Sequence, residues 1–261
     1  MLYNSMEERR NKIMEEFNVK DKVYVNALSE KFGVTMETIR RDLDALSTEN
    51  KIKKIFGGAI KVKSMRFEFA YNERAKYNLE EKQRIAATAI ALIEDNDTVA
   101  LLGGSTTELF LQHLLTKKGL FVVTNSLPLS FDLLKCKKEG TFDGRLVVIG
   151  GEAGSASMST SGFFAENMLM KISVNKAFIS CAGFSPLSVS TLMEEHIQLS
   201  RILIEQSELR ILVADSAKMN VSHLYHFANL SDFDIVVCDQ NMPTDWISET
   251  NAERLQWIIA K

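Results

Sequence analysis

At 261 residues the chain has room for one large domain, or for one of ordinary size beside a small one. Its 46% apolar and 25% charged residues are the balance of a soluble globular protein. No apolar run approaches the roughly 18 residues a membrane span needs, and the charge-dense stretch 6–17 lacks a signal-peptide core, so a cytoplasmic location is expected. The formal charge of −3 conceals a split: residues 1–66 hold 14 Lys+Arg against 10 Asp+Glu (+4), which leaves 17 against 24 (−7) for the rest. Such asymmetry is what a nucleic-acid reader with a separate second domain would show. Cys136, Cys181 and Cys238 are odd in number and far apart, which suits buried free thiols and neither a disulfide framework nor a zinc site.

In chain order, Ile13, Met14 and Phe17 recur at helical spacing in a charged stretch beginning at Met6, which predicts a first helix. A second is expected from about Asn26, with Leu28 and Phe32 on one face and Gly33 ending it. Only Gly33-Val34-Thr35 separates it from a third, Met36 to about Glu49, for which Thr35 is a good N-cap. Two short helices joined by a three-residue turn containing Gly make the helix-turn-helix pattern. On the third helix Met36, Ile39, Leu43 and Leu46 fall on one side; Glu37, Thr38, Arg41 and Asp44 fall on the other, with Arg40 at the flank. A helix lying in the major groove needs such a polar face, with Arg able to pair with guanine or with phosphate. A solvated face with a Glu37–Arg41 ion pair fits the helix alone equally well.

The next segment decides between them. Lys51 to Lys63 contains two β-prone runs around Gly57-Gly58, a hairpin pattern, and its five lysines, Lys53 and Lys54 among them, are unopposed by any acid within it. A basic wing after a helix-turn-helix points to operator DNA as partner. Candidate DNA-binding residues are Thr35, Glu37, Thr38, Arg40, Arg41, Lys53, Lys54, Gly57 and Gly58. The domains expected are a winged helix-turn-helix over 1–63, a partly packed connector over 64–79 carrying Phe67, Phe69 and Tyr71, and an α/β effector-binding and oligomerisation domain over 80–261.

That third part alternates helix and strand. Helices are expected over Lys82–Ile93, Thr106–Leu115 and Leu127–Lys135, and strands over Thr98–Leu102, Phe121–Thr124 and Leu146–Ile149. Further strands are expected near Lys176–Ser180, Arg210–Ala214 and Ile235–Val237, with a helix before the second of these, so a mainly parallel sheet covered by helices follows. In such folds ligands sit where strand C-termini meet helix N-termini. Gly103-Gly104-Ser105-Thr106-Thr107, Thr124-Asn125-Ser126 and Ile149-Gly150-Gly151 all fall there, and together they suggest a pocket for a phosphate or carboxylate. Asp232 and Asp234 read as loop-ending residues; neither metal nor cofactor is expected.

Leu28 to Thr35, Thr38-Ile39-Arg40-Arg41-Asp42-Leu43 and Gly57-Gly58-Ala59 resemble the N-terminal signature of the DeoR family of bacterial repressors, and the resemblance continues through almost the whole chain. The family's second domain is a sugar-phosphate-isomerase-like sensor, which implies a phosphorylated sugar or related anion as effector. Gly104, Ser105, Thr106 and Thr107 are similar to its Gly-Thr-Thr loop, Asn125 and Ser126 to its Thr-Asn-Ser motif, Gly150 and Gly151 to its paired glycines, and Asp215 and Lys218 to its Ala-Asp-His-Ser-Lys motif. The departures are Phe56 in place of His, Leu102 in place of Asp, Ser216 in place of His, and His196 and Ser200 in place of Glu and Lys; a one-residue gap would put Glu195 on that Glu instead. A sugar-phosphate isomerase or deaminase with an appended DNA-binding segment would need a carboxylate or His as general base. The lost acids at Leu102 and His196 argue against it. A second domain that only oligomerises is the other alternative. A homo-oligomer, dimer or tetramer, is expected.

Overall fold

The structure, a computed structural model, describes residues 6–19, 22–48, 52–55, 57–61, 71–248 and 254–261. Phe56, Lys51, Lys63, Phe67 and Phe69, named above, lie outside the described residues. Chain contacts divide it into two compact units, Met1–Ser64 and Met65–Lys261.

The first unit runs α1 (Met6–Val19), β1 (Lys22–Tyr24), α2 (Val25–Phe32), α3 (Met36–Thr48), β2 (Ile52–Ile55) and β3 (Gly58–Lys61). Gly33 closes α2 in the left-handed conformation at φ 64. Thr35 Oγ1 accepts from Thr38 N at 3.2 Å, the N-cap bond its position before α3 predicts. The strands form an antiparallel sheet in the order β1-β3-β2. Ile13 and Phe17 from α1, Leu28 and Phe32 from α2, and Ile39, Leu43 and Leu46 from α3 close one core with Val23, Ile52 and Ala59 of the sheet. Met36, expected on that face, is 47% exposed; the apolar face begins one turn later at Ile39, and a carboxylate, Asp42, takes a buried position beside it.

The second unit begins with α4 (Tyr71–Arg74) and α5 (Leu79–Ala89), then β4 (Thr98–Leu101), a 3-10 turn (Thr107–Phe110), α6 (Leu111–Leu114), β5 (Phe121–Thr124), α7 (Leu127–Lys138) and β6 (Arg145–Val148). It continues with β7 (Glu152–Gly154), β8 (Ser159–Ser161), α8 (Phe163–Leu169), β9 (Val174–Ile179), β10 (Gly183–Ser185) and β11 (Ser188–Thr191). The last elements are α9 (Ile197–Gln206), β12 (Ser207–Val213), β13 (Tyr225–Ala228), β14 (Ile235–Cys238) and β15 (Gln256–Ile259). Seven strands form one sheet, β15-β14-β12-β9-β4-β5-β6, and every neighbouring pair is parallel.

Successive strand side chains point to opposite faces, so the central strands feed two cores. Ala100, Val123, Ala177, Ile179, Leu212 and Val236 face α8 and α9. Val99, Leu101, Val122, Phe178, Ile211 and Val213 face α5, the 3-10 turn, α6 and α7, where Phe110 and Phe178 meet edge to face at 5.0 Å. From β4 the chain moves outward to β5 and β6, then returns to the opposite side of β4 with β9. That reversal is a topological switch point, and the crevice beyond the C-terminal ends of β4 and β9 is where open parallel sheets bind ligands. The hairpin β7–β8 and the antiparallel sheet β10-β11-β13 were not foreseen; both form at the C-terminal side of the parallel strands.

Candidate functional site

In the first unit α3 presents Glu37, Arg40 and Arg41 to solvent, with Arg41 78% and Arg40 58% exposed. Both arginines stand 3.6 Å from Glu37; the pair with Arg41 is the one the ion-pair reading expected, and the pair with Arg40 is additional. At such exposure the pairs are worth a fraction of a kcal/mol and yield readily to a phosphate or a base edge. Beneath them Asp42, 1% exposed, accepts from Arg9 Nε at 2.5 Å and Arg10 Nε at 3.2 Å, so α1 and α3 are locked by a carboxylate between two guanidinium groups. Lys54 is not free of acids: it pairs with Asp44 across from β2 to α3. Gly57 lies at the turn between β2 and β3, and its carbonyl accepts from Val25 N at 3.0 Å. Gly58 is buried against β1, where an added methyl would collide with the Val23 carbonyl. Its requirement is therefore steric. Lys53 pairs with Ile60 through the strand backbone.

In the second unit the residues expected from strands β4, β5 and β12 converge on the switch point, but most of their polar atoms are already used. Asn125 Oδ1 accepts from Gly103 N at 2.7 Å while its Nδ2 donates to the Thr160 carbonyl at 2.7 Å, clamping the β4 loop to β8. Thr107 Oγ1 donates to the Leu102 carbonyl at 2.6 Å. Ser126 caps α7 by accepting from Leu129 N at 3.2 Å and donates to Glu108 Oε1 at 3.0 Å. Thr106 differs: it is 1% exposed and its Oγ1 has no hydrogen-bond partner. Ser105 is 7% exposed, and Gly104 approaches β9 so closely that a methyl there would stand 2.5 Å from Ser180 Oγ. The helix expected over 106–115 is a 3-10 turn followed by a single α-turn, so side chains rather than an axial dipole dominate this loop. Gly150 and Gly151 are exposed beyond β6, with Gly151 against Ser161 and Ala165, and lie at the rim rather than with the buried groups.

Asp215, at the end of β12, is 2% exposed. Its Oδ1 accepts from Asn78 Nδ2 at 2.8 Å; its Oδ2 lies 3.6 Å from Lys218 Nζ and has no hydrogen-bond donor. Lys82, 3% exposed on α5, donates to the Arg74 carbonyl at 2.5 Å. Burial, reinforced by Lys218, holds Lys82 down at about 8. Asn78 and Lys82 were missed as site residues because nothing local marks them. Asn78 belongs to the stretch read as a connector, and Lys82 resembles any helix-surface lysine.

The departures find physical replacements. Leu102 joins the apolar core, so the missing acid leaves no void. Ser216 gives both its N–H and its hydroxyl to Asp239, at 2.6 and 2.8 Å. Ser200 is buried on α9, and His196 faces Ser159 Oγ at 3.3 Å, with burial lowering its pKa so that the neutral ring is favoured. Glu108, also missed, is a carboxyl that burial raises to about 8, with Oε2 unpartnered. Cys181 and Cys238, both buried thiols, are pushed to about 12 by the same cause. No described helix is long and apolar enough to cross a membrane.

A winged helix-turn-helix followed in the chain by a parallel α/β unit with buried polar groups at its strand ends is the architecture of a DNA-binding transcription regulator with an effector-sensing domain. Residues 9–65 match the DeoR-like helix-turn-helix domain and residues 77–240 the DeoR C terminal sensor domain. The chain belongs to the DeoR family of transcriptional regulators, and it is a regulator rather than an enzyme. It is 34% identical to the HTH-type transcriptional regulator YulB of Bacillus subtilis over 90% of this chain and 89% of that one. It is 28% identical to the transcriptional repressor AccR of Agrobacterium fabrum over 98% and 97%, and 30% identical to the lactose phosphotransferase system repressor of Streptococcus mutans over 89% and 92%.

Proposed function

We propose that the protein represses an operon for sugar uptake or breakdown, gripping its operator with α3 and the β2–β3 wing and altering that grip when a phosphorylated sugar or related anion occupies the crevice beyond β4 and β9. The observation that carries this reading is the pair of orphaned atoms there. Thr106 Oγ1 and Asp215 Oδ2 are buried without hydrogen-bond partners, and the Lys218 ammonium lies 3.6 Å from the second of them. Buried polar groups are nearly always satisfied, and those that are not mark a place where a ligand or water completes the set. A hydroxyl, a carboxylate and an ammonium suit a sugar's hydroxyls at one end and a phosphate at the other. The similarity to a lactose phosphotransferase system repressor supports sugar metabolism as the setting.

A ligand shifts operator binding only through its differential affinity for the two states, typically about 1–3 kcal/mol. The test is operator fluorescence anisotropy, using the DNA upstream of the gene and its neighbours, titrated with a panel of phosphorylated sugars. Wild type should respond to one of them. Thr106→Val, which keeps shape and removes the hydroxyl, should shift that response to at least tenfold higher concentration with operator affinity unchanged in its absence. A wild type indifferent to every phosphorylated sugar sinks the reading in favour of a domain that only oligomerises. On the DNA side, Arg41→Ala should lower operator affinity by about 1–3 kcal/mol at fixed salt if Arg41 reads a base.

A further inference from the structure

Three phenylalanines of the second unit stand largely in water: Phe131 is 70% exposed, Phe163 72% and Phe164 76%. Aromatic side chains are costly to leave in water, and several of them together mark a surface that something covers. Phe131 shares the outer face of α7 with exposed Leu134, one turn on, while Leu129 and Leu133 turn inward to the core. Phe163 and Phe164 open α8 with their rings edge to face at 5.8 Å, and Ala165 and Leu169 form the buried side of that helix.

The strand β8 ties the two helix starts together. At one end Ser159 bridges Ser126, the N-cap of α7, and Leu127 N donates at 3.0 Å to the carbonyl of Met158, whose side chain is exposed. At the other end Gly162, at φ 83, turns the chain directly into Phe163. Between them Thr160 N donates to the Asn125 carbonyl at 3.0 Å and Asn125 Nδ2 donates to the Thr160 carbonyl, so the strand is held from both sides of one residue. Three extended residues span about 10 Å, which sets the separation of the two helix starts. The other strongly exposed apolar side chains of this unit, Leu187, Leu224 and Ile247, stand at three separate places in the chain.

We propose that Phe131, Leu134, Met158, Phe163 and Phe164 form one self-association surface, and that its occupant is the same surface of a second copy of this chain, related by a two-fold axis. The five side chains carry no charge, so the patch offers nothing for a partner of opposite sign and complements itself, as an isologous interface requires. Aromatic enrichment with depletion of charge is the composition of interface centres. The area suffices as well. At about 150–250 Å² for a whole aromatic side chain, the three phenylalanines alone bring about 600–1,100 Å² over two copies. Leu134, Met158 and a polar rim carry the pair past the roughly 1,000 Å² at which a stable interface begins. One winged helix per chain also leaves each copy in need of a second head on the operator. The assignment does not depend on which anion the sensor takes.

The experiment is sedimentation velocity of the full chain from low to high micromolar concentration. Wild type should run as a dimer or tetramer. Phe131→Asp on α7 and Phe164→Asp on α8 should each halve the assembly, tetramer to dimer or dimer to monomer, at concentrations where wild type is intact. Their far-ultraviolet circular dichroism should match wild type, because neither side chain is packed within its own chain. Leu187→Asp, at a site 71% exposed but outside the patch, should assemble as wild type does. A monomeric wild type, intact assembly in either phenylalanine variant, or halving by Leu187→Asp overturns the assignment, while the operator and effector readings keep their own test in the anisotropy titration. Should an Asp variant fail to fold, Phe131→Ala and Phe164→Ala, which remove area without adding charge, are read in the same way.

Discussion

At Asp42 a carboxylate is enclosed by two guanidinium groups, and one of them, Arg9, is itself 8% exposed. Asp42→Ala leaves that cation buried without a partner, so the DNA-binding unit should lose about 3–5 kcal/mol, read as a lowered midpoint in urea, and operator binding should fall with it. Asp42→Asn, which keeps acceptor oxygen in place, should lose less. Glu108 makes the opposite kind of prediction, about pH. Its folded-state pKa, about 8, lies above the ordinary value of 4.5, because burial disfavours the charged form. The native state therefore binds a proton that the unfolded chain has released between those values, and stability falls as pH rises through that window. The contribution is fully present below 4.5 and gone above about 8. Glu108→Gln should flatten that part of the thermal midpoint against pH; a profile as steep as wild type assigns the slope to other groups.

Elements were set by different kinds of information. The head's helices follow from apolar spacing and from the Gly33 and Thr35 signals, which act within a turn or two and so can be read from the sequence alone. The parallel strands follow from short apolar runs between helices. Strands of three residues do not: β8 is Ser159-Thr160-Ser161, entirely polar yet entirely buried, and its place depends on hydrogen bonds to Asn125. No local alternation marks such a strand. The wing supplies the test at this scale, because Gly58 pairs with both Ile55 and Tyr24 and has no space for a side chain. Gly58→Val should displace β1 from β3, destabilising the unit by about 1–3 kcal/mol and reducing operator affinity. Unaltered urea unfolding in that variant would show that the strands separate freely.

For the whole molecule the split of +4 over residues 1–66 against −7 over the rest concentrates the attraction for phosphates in the N-terminal part of the chain. A single winged helix makes a small interface, and pairing two heads on a palindrome multiplies affinity through effective concentration. We expect an even-numbered oligomer in sedimentation velocity and an operator affinity that falls steeply and linearly in log–log against salt. A monomeric protein holding its operator with nanomolar affinity would contradict this expectation.

By itself the sequence determined the order of elements, the parallel α/β class, the polar face of α3 and the three polar loops at strand ends. Each of these is governed by interactions within one turn, one strand or one cap. Only the tertiary structure decided which polar atoms remain available. Asn125, Thr107 and Ser126 look like ligand-binding groups in sequence but spend their hydrogen bonds on the backbone and on Glu108. Asn78 and Asp215 are 137 residues apart yet 2.8 Å from one another. A buried polar group is useful to a ligand only after its neighbours have taken their share of its bonds, and those neighbours are chosen by the packing of the whole chain.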